Sequence, residues 1–230
     1  MRTLGLIGGL SWESTIPYYR FLNERVRQRL GGLHSARLLL HSVDFAEIEI
    51  LQRADDWDAQ ARILVDAARG LRSAGADAIV VCSNTMHQVA PTVEAAIDVP
   101  LLHIAEAAAS RIRAAGLSRV ALLGTKFTME RDFYRSRLEA AGIGVRVPDA
   151  AQRDRIHRVI YDELCLGRVL DASRADYRAI IDELVDDGAQ GVILGCTEIG
   201  LLIGEGDATV PLFDTARIHA EAAADWAMAG

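Results

Sequence analysis

The chain has 230 residues, half of them hydrophobic, and carries a formal charge of −7 at neutral pH. That length supports one large α/β unit or two small lobes with their own cores. The acidic balance, with no Lys/Arg block, offers no electrostatic footprint for nucleic acid or an anionic membrane surface. The first apolar run, at 4–10, is too short to span a bilayer, is broken by Gly5, Gly8 and Gly9, and meets Glu13 with no cleavage pattern, so a cytoplasmic protein is expected. Strand-like runs then alternate with amphipathic helical stretches. Strands are expected at 3–8, 36–42, 78–82, 100–104, 119–124, 143–147, 191–195 and 211–213. Helices are expected at 13–30, 57–73, 86–96, 105–115, 129–141, 152–166, 173–187 and 215–228, with a further helical segment at EIEIL before Gln52. Such alternation implies a parallel-rich, helix-covered sheet rather than a sandwich. Three cysteines without a paired spacing argue against a disulfide framework and against a CxxC metal knuckle.

The halves of the chain echo each other. AGADAIVVCSNT at 74–85 reads against DGAQGVILGCTE at 187–198, LGLIGG at 4–9 against VALLGT at 120–125, and VPLLHIAEAA from 99 against VPLFDTARIHAEAA from 210. Gly-Ala before an apolar strand is common α/β grammar, but three echoes in the same order point to a duplicated lobe. Two similar lobes related by a pseudo-twofold would each present the C-terminal ends of their strands to a shared cleft. The repeat also separates two neighbouring nucleophile-capable side chains. Consecutive strand residues point to opposite faces, and the echo sets Ser83, not Cys82, on Cys196. Cys82 then reads as a small buried hydrophobe.

GLIGGLSWEST near the N-terminus, NTMH after the 78–82 strand, LLGT followed by FTME, and GCTEIGLL near the C-terminus together resemble the cofactor-independent aspartate/glutamate racemase family, nearest its broad-specificity enterobacterial-type amino-acid racemases. The resemblance spans essentially the whole chain. It implies two α/β lobes, residues 1–98 with 209–230 and residues 99–208, each a mainly parallel sheet flanked by helices. It implies a homodimer, an amino-acid substrate, and racemisation by two acid/base residues on opposite sides of Cα without pyridoxal phosphate or metal. Carried onto this sequence, the catalytic pair is Ser83 and Cys196, with Leu10, Gln52, Asn84, Thr85, Thr125, Thr197 and Glu198 around the substrate.

The residue types suit that chemistry. A thiolate is a competent base once its pKa is lowered, and a helix N-terminus after Cys196 is expected to lower it. The hydroxyls of Thr85, Thr125 and Thr197, with nearby N–H groups, suit an α-carboxylate. His87 reads as a group satisfying a buried polar atom rather than a base for Ser83, Asn84 as both N-cap and ligand, and Trp12 with the Tyr18-Tyr19 pair as packing or lobe–lobe contacts. GLIGG lacks the G-x-G-x-x-G spacing of a dinucleotide loop; its glycines are expected to let the Leu10-Ser11 backbone approach a small substrate.

Two departures stand out. The family usually has Cys where this chain has Ser83, and a hydroxyl has no accessible anion near neutral pH without a partner base. Aspartate racemases of the family carry Lys where Cys165 stands, so strict aspartate specificity is not expected, and Gln52 and Arg53 are the expected replacements at the side-chain end. Ser83 also keeps open a non-catalytic amino-acid-binding protein, and the motifs alone leave room for a hydantoin racemase or a maleate isomerase.

Overall fold

A computed structural model describes residues 1–229, which divide into two compact units: Met1–His103 with the chain from His219 onward, and Ile104–Ile218. The divisions lie beyond the sequence-based bounds of 98/99 and 208/209. The segment after Pro100 is tied to the first unit by an Ile79–Leu101 bridge, and a strand at Leu212–Asp214 pairs within the second.

The first unit runs β1 (Leu4–Gly8), α1 (Trp12–Leu30), β2 (Leu38–Ser42), α2 (Phe45–Arg53), α3 (Trp57–Ser73) and β3 (Ala78–Val81), then a 3-10 turn over Thr85–Val89 and α4 (Ala90–Glu94). Its strands are parallel in the order β2-β1-β3. Helix α3 shows why these segments fold as they do. Asp56 caps it by accepting from the Ala59 N–H, and Gln60, Ala61, Leu64, Ala67, Ala68 and Leu71 bury one face at three- and four-residue spacing. That face meets Ile7, Ile79 and Val81 from the sheet and Met86 from the turn beyond it.

The second unit runs α5 (Ile104–Ala114), β4 (Arg119–Gly124), α6 (Lys126–Glu130), α7 (Asp132–Ala140), β5 (Gly144–Arg146), α8 (Ala150–Asp162), a 3-10 turn over Leu164–Leu166, α9 (Asp171–Asp186), β6 (Val192–Gly195), α10 (Ile199–Leu202) and β7 (Leu212–Asp214). Its parallel sheet has the order β5-β4-β6-β7. Alternation along β4 divides the core. Val120 and Leu122 pack with Ile104 and Tyr134, while Ala121 and Leu123 pack with Ile156 and Tyr177. The closing helix α11 (Thr215–Met228) starts in this unit and belongs to the first from His219.

The echoes in sequence correspond to equal places in the two sheets. β1 and β4 sit between the same relative neighbours, β3 and β6 lie beside them, and Leu101 bridges to β3 where β7 pairs with β6. The expected strand at 100–104 shrinks to that one bridge because Pro100 has no N–H to donate and α5 begins at Ile104. The helix expected at 86–96 breaks into a 3-10 turn and α4 at Pro91, whose ring cannot continue the preceding turn. The helix expected at 129–141 breaks at Arg131, which is extended (φ −93°, ψ 154°). One expectation divides: Tyr18 is buried, but Trp12 and Tyr19 are 59% and 63% exposed and are not packing residues.

The first unit buries three imidazoles, those of His87, His103 and His219. His219 donates from Nε2 to the Leu102 carbonyl (2.7 Å) and therefore accepts at Nδ1 from the Tyr18 hydroxyl (2.9 Å). The His87 ring lies 5.8 Å from that of His219 and 4.4 Å from that of His103. Burial pushes the His219 pKa down to about 4, against a smaller upward pull from the Leu102 carbonyl. The unfolded chain takes up this proton near pH 6.5 and the folded chain only near pH 4, so folding stability falls as pH drops through that window. The loss traceable to His219 is of order 3 kcal/mol. Urea unfolding of the wild type and of His219→Asn between pH 7.5 and 4 checks this: the variant's stability should vary less across the window, and parallel curves would refute the assignment.

Candidate active site

Parallel pairing sets every strand end of a unit on one edge, and the expected residues stand there. In the first unit, Gly9 follows β1 with φ +78°, and a Cβ on it would lie 2.2 Å from the Val43 carbonyl oxygen. This close backbone approach demands glycine in its own right, whatever ligand lies nearby. The Leu10 side chain joins the core with Ile7 and Ile48, which leaves only its backbone for a ligand. After β3, Cys82 is completely buried and Ser83 is 7% exposed. Burial drives the Cys82 thiol far above the ordinary range, as expected for a small core residue.

Ser83 is held from both sides of its peptide. The Met86 N–H reaches its Oγ at 3.5 Å, and His87 Nδ1 donates to its carbonyl at 2.7 Å. With the proton on Nδ1, His87 meets the Ser83 backbone and not its hydroxyl, which is the role read from sequence. Asn84 precedes the 3-10 turn without a side-chain cap bond, so its expected N-cap role is not realised; Thr85 opens the turn and is buried. Gln52 is also buried, and its Nε2 donates to Met86 Sδ at 3.4 Å, which joins it to the Ser83 turn. Arg53 does not join them. Its side chain is 79% exposed and ion-paired with Glu49 one turn back, since neighbouring helix positions face different ways.

In the second unit, Gly124 and Gly195 stand level at the ends of β4 and β6. A Cβ on Gly195 would lie 2.6 Å from Leu122 Cδ1 and 2.7 Å from the Leu123 carbonyl, so only glycine lets the strand ends close before the site begins. Thr125 caps α6, accepting from the Thr128 N–H at 3.2 Å. Cys196, 8% exposed, donates from Sγ to Glu198 Oε2 at 2.9 Å, and the Thr197 hydroxyl donates to the same oxygen at 2.8 Å.

This arrangement overturns the expected lowering of the Cys196 pKa. Burial raises it well above the ordinary thiol range, and the Glu198 charge and Cys165 push the same way. The helix that was to supply the opposing dipole, α10, is a single turn beginning at Ile199, and a carboxylate stands at the sulfur. The resting thiol is therefore protonated. Sequence reading had grouped Glu198 with the substrate contacts; its direct bond to Cys196 was signalled only by the C-x-E spacing. Cys165 lies in the 3-10 turn rather than in a helix and packs against the same core as Cys196. Among the described residues, no cluster of three or more His, Cys, Asp or Glu is placed to hold a metal ion, and no helix is long and apolar enough to cross a membrane.

Residues 7–223 match the family described as Asp/Glu/Hydantoin racemase. A broad-specificity amino-acid racemase, RacX of Bacillus subtilis (strain 168), is 23% identical over 226 residues, with 95% of each chain covered. A crystal structure from Yersinia pestis assigned to the Asp/Glu racemases is 56% identical and superposes with a TM-score of 0.91, covering 99% of this chain and 100% of that one. An aspartate racemase homologue from Pyrococcus horikoshii OT3, PH1733, is 36% identical with a TM-score of 0.85 over 99% and 100% of the two chains.

The Cys196 environment makes a prediction independent of turnover. Removing the Glu198 charge in Glu198→Gln should lower the Cys196 pKa, because burial then acts without that charge. Alkylation of Cys196 followed by peptide mass spectrometry across pH 7–10 should show a midpoint at lower pH in the variant, and an unmoved or higher midpoint would contradict the assignment.

Proposed function

Because the chain belongs to the Asp/Glu/Hydantoin racemase family, an enzyme family acting on small molecules, we propose that it inverts Cα of acidic or small polar amino acids, with glutamate, aspartate and homoserine as candidates. It does so without pyridoxal phosphate, as a cytoplasmic homodimer. The observation that carries this reading is the buried Cys196 thiol bonded to the Glu198 carboxylate at the end of a parallel strand.

Inversion by proton transfer needs a base on one face of Cα and an acid on the other. Cys196 and Glu198 form the base in two parts: the carboxylate takes the thiol proton, and the thiolate so formed removes the α-proton. Ser83 returns a proton to the opposite face, from its hydroxyl or from a water it positions; the proton held by Glu198 then neutralises the alkoxide or hydroxide left behind, and the same transfers run backwards from the other enantiomer. Thr85, Thr125 and Thr197 serve the α-carboxylate, with Asn84 and the Leu10 backbone beside them. Gln52 serves the distal group, exchanging a weak sulfur acceptor for a substrate oxygen. A Schiff-base cofactor needs a nucleophilic lysine. The chain's single lysine, Lys126, is ion-paired with Asp154 at 2.6 Å, and that bond raises its pKa.

Proton NMR in deuterium oxide with each enantiomer of glutamate, aspartate and homoserine tests the reading. Loss of the α-proton signal is expected with at least one of them, faster from the enantiomer that offers its α-proton to Cys196. Cys196→Ala should slow exchange by about 10²–10⁴-fold, and Ser83→Cys should speed it from the slower enantiomer. Full exchange in Cys196→Ala would end the proposal, and binding without exchange would make this an amino-acid-binding protein.

A further inference from the structure

Helix α1 buries Ser14, Thr15, Tyr18, Phe21, Leu22 and Val26 and turns a different face outward. On that face Trp12, Ile16 and Tyr19 are 59%, 58% and 63% exposed. Their i, i+4, i+7 spacing gathers them into one stripe. Single exposed apolar side chains are ordinary, but a contiguous stripe with two aromatics has the composition of an interface centre.

The residues flanking the stripe indicate what covers it. Trp12 and Arg20 stand four residues before and after Ile16, about 40° to either side of it around the helix; Glu13 and Tyr19 stand three before and after, about 60° to either side. A twofold axis through Ile16 with two α1 helices antiparallel therefore sets Ile16 on its own counterpart. It sets the Trp12 ring against the Tyr19 ring of the other copy, and the Glu13 carboxylate against the Arg20 guanidinium of the other copy, because Trp12 and Tyr19 share one side of Ile16 and Glu13 and Arg20 the other. The first is an aromatic pair and the second an ion pair. The Arg20 side chain is 63% exposed and able to make that contact. Each contact occurs twice, as an isologous interface requires. Complementarity of this kind is a property of the surface toward itself; an unrelated partner has no reason to reproduce it, and an anionic bilayer is opposed by the net charge of −7.

We infer that the α1 face carrying Trp12, Ile16 and Tyr19 is the surface on which two copies of this chain pair, an inference that rests on the dimer part of the functional reading and not on its chemistry. Light scattering on the size-exclusion-purified full chain at micromolar concentration should give a dimer mass. Ile16→Glu should weaken association more than about tenfold while leaving thermal unfolding at high concentration of the monomer cooperative, because the side chain is exposed. In a Cys165→Ser background, Ile16→Cys should form a disulfide-linked dimer with copper phenanthroline, since the residue faces itself, whereas Arg62→Cys on the outer face of α3 should not. A dimer that survives Ile16→Glu, or an Ile16→Cys that does not cross-link, would overturn the surface and leave the dimer standing. A monomeric wild type would remove both, and α-proton exchange would report separately on the chemistry.

Discussion

Parallel pairing is the constraint from which the rest follows. Strands that all run one way must all end on one edge, and the helices that return the chain must cover the faces. In this protein that rule acts twice, in sheets of three and four strands. It gathers loops far apart in sequence, and each loop carries the short polar residues that a buried strand end can tolerate. Glycine at the last strand position then decides how closely neighbouring ends approach, so each unit's strand-end edge is shaped by absent side chains before any polar group is placed.

At the second strand end, burial and charge act together on one thiol. Burial favours the neutral thiol, and a carboxylate 2.9 Å from the sulfur disfavours the thiolate further. A thiol beside a cation would rest as thiolate, ready and also exposed to oxidation; this one rests neutral. The first strand end has no comparable pair. Ser83 is gripped through its backbone by His87, which fixes where the hydroxyl is without changing what it is.

Most of the architecture was readable from residue order because fully buried strands and amphipathic helices leave opposite periodicities, and because Gly124, Thr125 and Cys196 follow apolar runs directly. What escaped depends on local chemistry that periodicity does not encode. Pro91 and Arg131 interrupt helices whose apolar spacing continues through them. Gln52 and Arg53 look interchangeable in sequence, yet one turn of α2 buries the first and exposes the second. The Cys196–Glu198 bond was hidden for a related reason: spacing identifies two residues on one turn but not whether the second stabilises or opposes the charge on the first. The Tyr18–His219 bond joins residues 201 apart, and no local pattern announces it.

The ion pair between Lys126 and Asp154 has a practical side. With one lysine in the chain, every amine-directed reagent has a single side-chain target besides the terminal amine, next to the Thr125 cap and at a side chain only partly open to water. Molecules coupled through that amine would all be held by the same corner of the second unit. A dye or surface attached there would report on one defined place instead of a statistical coat.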